Sequence, residues 1–126
     1  MSSGNRLDRK RRFERKGRRA EWFAALALML KGYRIVSLRY RTPVGEIDLV
    51  ARTGDLIAFV EVKARHNLAS GVDSVSFSAQ RRIAAAAELF ISRQKDSARL
   101  SWRHDIVVVS PWRWPEHLIA LWREGE

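Results

Sequence analysis

Residues 45–65 constrain the fold more than any other part of this chain, because they have the pattern of a β-hairpin. The two halves are GEIDLVAR and LIAFVEVKAR, and both are rich in β-branched and aromatic side chains. Within them, residues 46–50 and residues 59–63 alternate charged with apolar residues. Gly54 and Asp55 lie between the halves, and a two-residue loop with glycine first favours a type II′ turn. The segment therefore predicts two antiparallel strands joined by a tight turn.

Pairing about this turn brings charged residues together. It sets Asp48 opposite Glu61, and it sets Glu46 opposite Lys63. Because side chains alternate along a strand, all four are expected on one face, with directly opposite Cβ atoms roughly 4.5–5.5 Å apart. Two carboxylates at that distance repel each other unless a positive charge lies between them. A divalent metal ion and Lys63 are the two candidates for that charge.

The opposite face of the hairpin is expected to be almost wholly apolar. Strict alternation assigns to it Ile47, Leu49, Ala51, Leu56, Ala58, Val60, Val62 and Ala64. The face with the charged residues also carries Val50, Ile57 and Phe59, but these lie toward the turn. The charged residues are therefore concentrated at the end of the hairpin away from the turn. A hairpin that only exposed one face to water would spread polar residues along that face. This concentration predicts a functional site.

Composition limits the class of protein. The chain has 126 residues, of which 46% are hydrophobic and 30% charged, as expected for one globular domain. It has no cysteine, which excludes disulfides and thiolate metal sites. The longest apolar run, residues 22–30, is too short to span a bilayer, and no secretory signal is recognisable. We therefore expect a cytoplasmic protein that does not insert into a membrane.

Positive charge is concentrated at the N-terminus. The net charge is +10, and residues 1–19 contain nine Lys/Arg and two Asp/Glu. We expect residues 1–17 to form a flexible basic arm and residues 18–126 to form a single domain. The arm, which includes Lys10, Arg11 and Arg12, predicts contact with a polyanion such as nucleic acid, or else a solvated tail.

The first helix is predicted over residues 18–31, where Ala, Leu and Met dominate and Gly32 follows as a C′ glycine. It is apolar almost all round, so we expect it to be well buried. Glu21 is its exception and has two interpretations. The carboxylate either favours the helix dipole from the first turn, or reaches over the hairpin to help hold a metal.

The remaining elements alternate strand and helix. A strand is expected over residues 33–41, and its Arg39 and Arg41 either follow a phosphate backbone or protect an edge strand. A second helix is expected from a Ser76 or Ser78 cap to about Arg93. A strand at residues 102–109 follows, and residues 118–122 form either a strand or a helix. The order of elements predicts an α/β protein.

The first turns of the second helix contain a polar and basic cluster: Gln80, Arg81 and Arg82. The N–H groups at a helix N-terminus attract anions, so this cluster is a candidate contact for nucleic acid. An ordinary solvated helix end is the alternative.

Asp48 followed by Glu61-Val62-Lys63 resembles the PD-(D/E)xK motif of restriction-endonuclease-like nucleases. A wider set of residues resembles the bacterial YraN family (UPF0102) of predicted endonuclease-like proteins. That set comprises Ala20-Glu21, Lys31-Gly32-Tyr33, Gly45-Glu46-Ile47-Asp48, Phe59-Val60-Glu61-Val62-Lys63, Gln80 and His104-Asp105-Ile106-Val107.

The resemblance implies a restriction-endonuclease-like α/β domain of the Holliday-junction-resolvase kind, with a mixed central sheet flanked by helices. It also implies metal ligands at Glu21, Asp48, Glu61 and the main-chain carbonyl of Val62. By the same resemblance, Lys63 matches the catalytic lysine and Gln80 a polar helix position near the site.

These observations predict a DNA endonuclease that depends on Mg²⁺ or Mn²⁺, with Asp48, Glu61 and Lys63 as catalytic residues. Branched or damaged DNA is the candidate substrate. A non-catalytic nucleic-acid-binding module is the alternative. A third interpretation is a protein–protein scaffold, with a homodimer as a candidate assembly, because aromatic residues are enriched in interfaces. It depends on Trp102, Trp112, Trp114 and Trp122.

Overall fold

The computed structural model describes residues 18–66, 71 and 76–122, without the side chains of residues 120–122. The predicted basic arm therefore lies outside the described residues, as does most of the loop after the hairpin. In chain order, the elements are helix α1 (residues 18–30), strands β1 (Arg34–Thr42), β2 (Gly45–Thr53) and β3 (Leu56–Ala64), helix α2 (Phe77–Ser92), and strands β4 (Ser101–Val109) and β5 (Glu116–Trp122).

The five strands form one mixed sheet in the order β1-β2-β3-β4-β5. Neighbouring strands are antiparallel except β3 and β4, which are parallel and are connected through α2. The two helices pack on opposite faces: α1 on Leu49 and Val60, α2 on Val50 and Phe59. This architecture confirms the predicted α/β class and is consistent with a restriction-endonuclease-like fold. The last element, left open by the sequence, is a strand.

The hairpin has the register that its turn predicts. Paired residues run from Thr53↔Leu56 at the turn to Leu49↔Val60, so Asp48 and Glu61 come next on their strands. Gly54 has φ +58°, whereas Asp55 does not have positive φ, which is the sign pattern of a type II′ turn. The loop therefore fixes which carboxylates meet at the far end of the hairpin.

Alternation fails where the charged residues begin, and the expected grouping of Ile47 with Leu49 was wrong. Leu49 lies in the cluster under α1, whereas Ile47 lies in the cluster under α2. On the neighbouring strand, Arg39 lies between the pairs Leu38↔Leu49 and Tyr40↔Ile47 and has φ +55°. A left-handed residue rotates the strand about its axis, so the side chains beyond it change face.

Helix α1 ends as predicted, but it is buried on one side only. The N–H groups of Gly32 and Tyr33 donate to the carbonyls of Met29 and Leu28, and Gly32 has φ +99°, which together form a Schellman motif. The small residues Ala20, Ala24 and Ala25, together with Leu28, pack toward the sheet. Exposed on the other side are Trp22, Phe23, Leu26, Met29 and Leu30.

The expectation that α1 would be well buried was therefore wrong. The sheet covers one face of a helix, and no second layer covers the other face within the described residues. In that part of the chain, no helix combines the length and apolar character that a bilayer crossing requires.

Helix α2 begins and packs as its sequence predicts. Ser76 is the N-cap, and its Oγ accepts a hydrogen bond from the Ala79 N–H at 3.1 Å. The predicted core residues Ile83, Ala87, Phe90 and Ile91 are buried, with Ala86 beside them. The helix also touches the start of β2, since a Cβ on Gly45 would lie 2.2 Å from the Arg82 carbonyl oxygen.

Candidate active site

The candidate site lies where β2 and β3 continue past their last paired residues. The Asp48 carboxylate accepts a hydrogen bond from the Val62 N–H, with Oδ2 2.9 Å from the nitrogen. An acidic side chain thus takes a backbone donor of the neighbouring strand. This contact ties Asp48 to the Glu61-Val62-Lys63 segment, as the register predicts.

Glu61 is buried next to a second carboxylate. Its side chain is only 15% exposed, and its Oε1 lies 3.7 Å from the Lys63 Nζ. Burial is the main cause that raises the pKa of Glu61, to about 9; the adjacent Asp48 raises it further, and Lys63 opposes both. At neutral pH Glu61 therefore carries a proton that it can donate to Asp48. Lys63 is the cationic side chain beside this pair.

Glu21 reaches the sheet, but its direct partner is an arginine. Arg39 Nε donates to Glu21 Oε1 at 3.2 Å and to Oε2 at 2.9 Å. Burial raises the pKa of Glu21, Arg39 lowers it, and Asp48 and Glu46 raise it weakly. Glu21 is therefore close enough to Asp48 and Glu46 to interact with them electrostatically, and its charge is balanced by the ion pair with Arg39. This contact supplies the partner that the sequence required for a carboxylate above an apolar stripe.

The described residues contain no group of three or more His, Asp or Glu side chains placed to hold a metal ion together. The structure brings Asp48 and Glu61 together and keeps Glu21 on Arg39. Two adjacent carboxylates, one of them buried, suit a hard divalent cation chemically. A third ligand from Glu21 would require that side chain to leave Arg39.

The predicted nucleic-acid contacts differ in their surroundings. Arg81 and Arg82 are exposed on the first turns of α2, and the Arg81 guanidinium lies over the Phe77 ring at 5.2 Å. Gln80 is half-buried and has an interaction partner. Arg41 pairs with Glu46 at 3.5 Å on the exposed edge strand β1. Lys10, Arg11 and Arg12 lie outside the described residues.

The sequence did not reveal Arg39 as the partner of Glu21. It treated Arg39 like Arg41, as a surface cation, because alternation places both on the same side of β1. The positive φ of Arg39 breaks that alternation, and a non-glycine residue in this region gives no sequence signal. The one available signal was the unsatisfied charge of Glu21 itself.

A hydrogen-bond network centred on Asp105 lies on the α1 side of the sheet. Asp105, fully buried in β4, accepts hydrogen bonds from Arg103 Nε at 2.9 and 3.1 Å and from His117 Nε2 at 2.8 Å. The other ring nitrogen of His117 accepts from Lys31 Nζ at 2.9 Å, and Arg103 also donates to the Tyr33 hydroxyl. This network connects β4 and β5 to the end of α1.

Together, the mixed five-stranded sheet, the flanking helices and the acidic pair at the hairpin end define an α/β protein of restriction-endonuclease-like architecture. The sequence profile of the uncharacterised protein family UPF0102 matches residues 20–109, and the chain belongs to that family. This result confirms the family resemblance; the PD-(D/E)xK motif itself stays a prediction.

Relatives agree over nearly the whole length. The UPF0102 protein of Chelativorans sp. (strain BNC1) is 60% identical over 118 residues, which cover 94% of each chain. The UPF0102 protein of Rhizobium meliloti (strain 1021) is 61% identical over 110 residues, 87% of this chain and 90% of the relative. That of Sinorhizobium medicae (strain WSM419) is 62% identical over 104 residues, 82% and 85%.

Proposed function

We propose that this protein is a DNA endonuclease that hydrolyses phosphodiester bonds with the help of Mg²⁺ or Mn²⁺. The observation that carries the proposal is the Asp48–Glu61 pair, half-buried at the hairpin end with Lys63 beside it. A stable fold alone does not require two adjacent carboxylates, and here burial and repulsion keep Glu61 protonated beside Asp48. A bound divalent cation would add the positive charge that the doubly ionised pair needs beyond Lys63.

In the proposal, Asp48 and Glu61 hold the cation, with the Val62 carbonyl as a further oxygen ligand. When bound, the ion polarises the phosphodiester and lowers the pKa of a water molecule. Glu61 must lose its proton for this role, so cation binding releases a proton. The Val62 N–H fixes the Asp48 carboxylate in place before any substrate arrives, which removes part of the cost of ordering the site.

Lys63 has a separate role. Its ammonium group, 3.7 Å from Glu61, carries a positive charge at the mouth of the acidic pair. It can donate to the attacking water and to the phosphoryl oxygens as the new P–O bond forms and the old one breaks. Removing one such donor from an enzyme site typically lowers the rate by about 10²–10³.

Substrate binding is assigned to basic side chains outside the acidic pair. Arg81 and Arg82 on α2 and the N-terminal residues Lys10, Arg11 and Arg12 are the proposed phosphate contacts, because a net charge of +10 favours a polyanion. Arg39 is the internal counter-ion of Glu21 in this proposal. Glu21 becomes a metal ligand only by exchanging Arg39 for the cation.

Cleavage assays test the proposal directly. Purified protein is incubated with branched, single-stranded and duplex DNA in Mg²⁺, in Mn²⁺ or in EDTA. We expect metal-dependent cutting that Asp48→Ala abolishes and Lys63→Ala lowers by about 10²–10³. The matched control is Asp55→Ala, which removes an exposed carboxylate at the turn of the same hairpin. Absence of cutting, or cutting that survives both site variants, rejects the nuclease proposal.

A non-catalytic nucleic-acid-binding module is the second candidate, favoured by the concentration of positive charge in residues 1–19. It predicts salt-sensitive binding that survives Asp48→Ala and falls when residues 1–16 are removed. Equal binding by the truncated and full-length proteins contradicts it. Because this candidate requires no cation, its binding should persist in EDTA.

A further inference from the structure

A cavity of about 710 Å³ lies beside the C-terminal ends of β3 and β4. These two strands are parallel, and their last residues, Ala64 and Val109, are paired with each other. Both strands therefore end at the same level of the sheet. Ala20 and Phe23 of α1 form one wall, and residues 110–115 form another. Its volume is within the range of small-ligand sites, roughly 300–1,000 Å³.

The lining combines an apolar surface with positive charge. Its aromatic members are Phe23, Trp112 and Trp114, and its arginines are Arg19, Arg65 and Arg113. None of the described residues that line it is acidic. The complementary ligand is flat and apolar on one part and anionic on another. A nucleobase with its phosphate has this combination.

Trp112 is held in an unusual backbone conformation. Arg113 N–H donates to the Ser110 carbonyl at 3.4 Å, closing a turn with Pro111 second and Trp112 third, where φ is +60°. Proline second and positive φ third are the features of a type II turn, which favours glycine or asparagine at the third position. The Trp112 side chain is fully exposed, so packing within the described residues does not offset its strain. A strained residue whose aromatic side chain is exposed is a candidate ligand contact.

The cavity and the candidate active site use residues of the same two elements, β3 and α1. Ala64 and Arg65 directly follow Lys63, and Ala20 directly precedes Glu21. One residue of a strand advances by about 3.3 Å, so the cavity wall begins within one or two residues of the Lys63 backbone. The Ala64 and Lys63 side chains point to opposite faces of β3, so a strand that places a phosphate at Lys63 and a neighbouring base in the cavity must pass the end of β3.

We propose that the cavity receives an unpaired nucleobase of the nucleic-acid strand that crosses the Asp48–Glu61 site. This inference rests on the proposed function and names its substrate class: nucleic acid with at least one unpaired nucleotide beside the contacted phosphate. A base inside a continuous duplex is covered on both faces by its neighbours. Only an unpaired base can stack on Trp112 or Trp114 while Arg65 and Arg113 contact its phosphates.

The test measures binding without cleavage. Fluorescence anisotropy in EDTA compares three labelled DNAs: a single strand, a duplex with one bulged nucleotide, and the same duplex fully paired. Trp112→Gly should weaken binding of the single strand and the bulged duplex by at least about fivefold and leave the paired duplex within about twofold. Urea unfolding should show Trp112→Gly to be at least as stable as wild type, because glycine suits the turn position.

Matched controls separate the cavity from general effects. Trp22→Ala removes another exposed tryptophan, on α1, that does not line the cavity, and should leave all three affinities unchanged. Arg113→Gln should weaken the bulged duplex more than Arg34→Gln, which removes an exposed arginine at the distant start of β1.

Three results overturn the inference. The first is an equal effect of Trp112→Gly on paired and unpaired DNA, or no effect on either. The second is a mononucleotide that competes as well as the single strand. The third is a wild-type dimer, seen by light scattering, that Trp112→Gly converts to a monomer. Loss of selectivity in Trp112→Gly with no metal-dependent cutting by wild type would keep the cavity assignment and reject the nuclease.

Discussion

Two acidic sites in the same sheet, Asp105 and the Asp48–Glu61 pair, differ in how their charge is compensated. Asp105 on β4 is paired in register with Val60, the residue before Glu61 on β3, so the two acids are close neighbours in the sheet. Asp105 accepts hydrogen bonds from an arginine and a histidine, whereas Glu61 is next to another acid. The buried Asp105 carboxylate is thus matched by cationic and hydrogen-bonding side chains of its own strand and of β5. The weak compensation of the Asp48–Glu61 pair supports a role in binding a cation.

The largest expected effect comes from breaking the compensated cluster. Asp105→Ala leaves Arg103 and His117 facing an empty buried position and should lower the free energy of unfolding by about 3–5 kcal/mol. Urea denaturation followed by circular dichroism measures it. Asp55→Ala, which removes a 57% exposed partner of Arg52, should change stability by less than about 1 kcal/mol. Similar losses in the two variants would contradict the assigned difference between the clusters.

A change of the opposite sign in the free energy of unfolding is expected at the Asp48–Glu61 pair. The pKa of Glu61 is about 9 in the folded protein, above its ordinary 4.5, so folding favours the protonated form. Its contribution to stability is full below about pH 4.5 and is lost as pH rises toward 9. Without metal, Glu61→Gln should therefore be more stable than wild type by about 1–3 kcal/mol at pH 8.

The same measurement at several pH values tests the cause. The advantage of Glu61→Gln should grow between pH 5 and pH 9 and vanish near pH 4. Glu46→Gln, an exposed acid on the paired strand, should stay within about 0.5 kcal/mol of wild type throughout. An advantage that does not change with pH would mean that packing, and not ionisation of Glu61, separates the variants.

A divalent cation should reduce the difference between the two clusters. Mn²⁺ at ten times its dissociation constant should stabilise wild type by about 1.4 kcal/mol, because it binds the folded state only. Differential scanning fluorimetry measures this as a rise in Tm. Asp48→Asn and Glu61→Gln should show no such rise, whereas Asp55→Asn should respond like wild type. Equal stabilisation of all four proteins would place the cation elsewhere.

The smallest effect is expected at an exposed pair on the edge strand. Arg41 and Glu46 lie 3.5 Å apart with side chains 68% and 48% exposed, so Arg41→Gln should cost less than about 0.5 kcal/mol. Thermal unfolding at low and high salt checks this value. A larger loss, or one that persists at high salt, would show that the strand edge contributes more to the fold than its exposure suggests.

Local chemistry predicted the parts of the fold that short segments determine. The Gly54-Asp55 loop set the hairpin register, Gly32 ended α1, and Ser76 capped α2. Each prediction depended on backbone conformations that few residue types prefer, so the residues themselves carried the information. The pairing of Asp48 with the Glu61 segment followed from the same register.

Features that depend on distant packing were not predictable. Alternation placed Ile47 with Leu49, but the left-handed conformation of Arg39 rotates the strands between them. The apolar surface of α1 indicated burial on all sides, whereas the sheet covers only one. Arg39 was not predictable as the partner of Glu21, because its side chain changes face through the same left-handed conformation. In each case the outcome depends on the neighbouring strand or layer, which the local sequence does not specify.

The contact between Gly45 and α2 has a consequence for where a strand would be cut. The Arg82 carbonyl lies so close to Gly45 that no side chain fits between them, and Asp48 is three residues further along β2. The α2 backbone that carries Arg81 and Arg82 is therefore held at a fixed distance from the Asp48–Glu61 pair. If they grip a phosphate, the cut should fall a fixed number of nucleotides from it, and gel mapping of the 5′ ends would show one dominant product length.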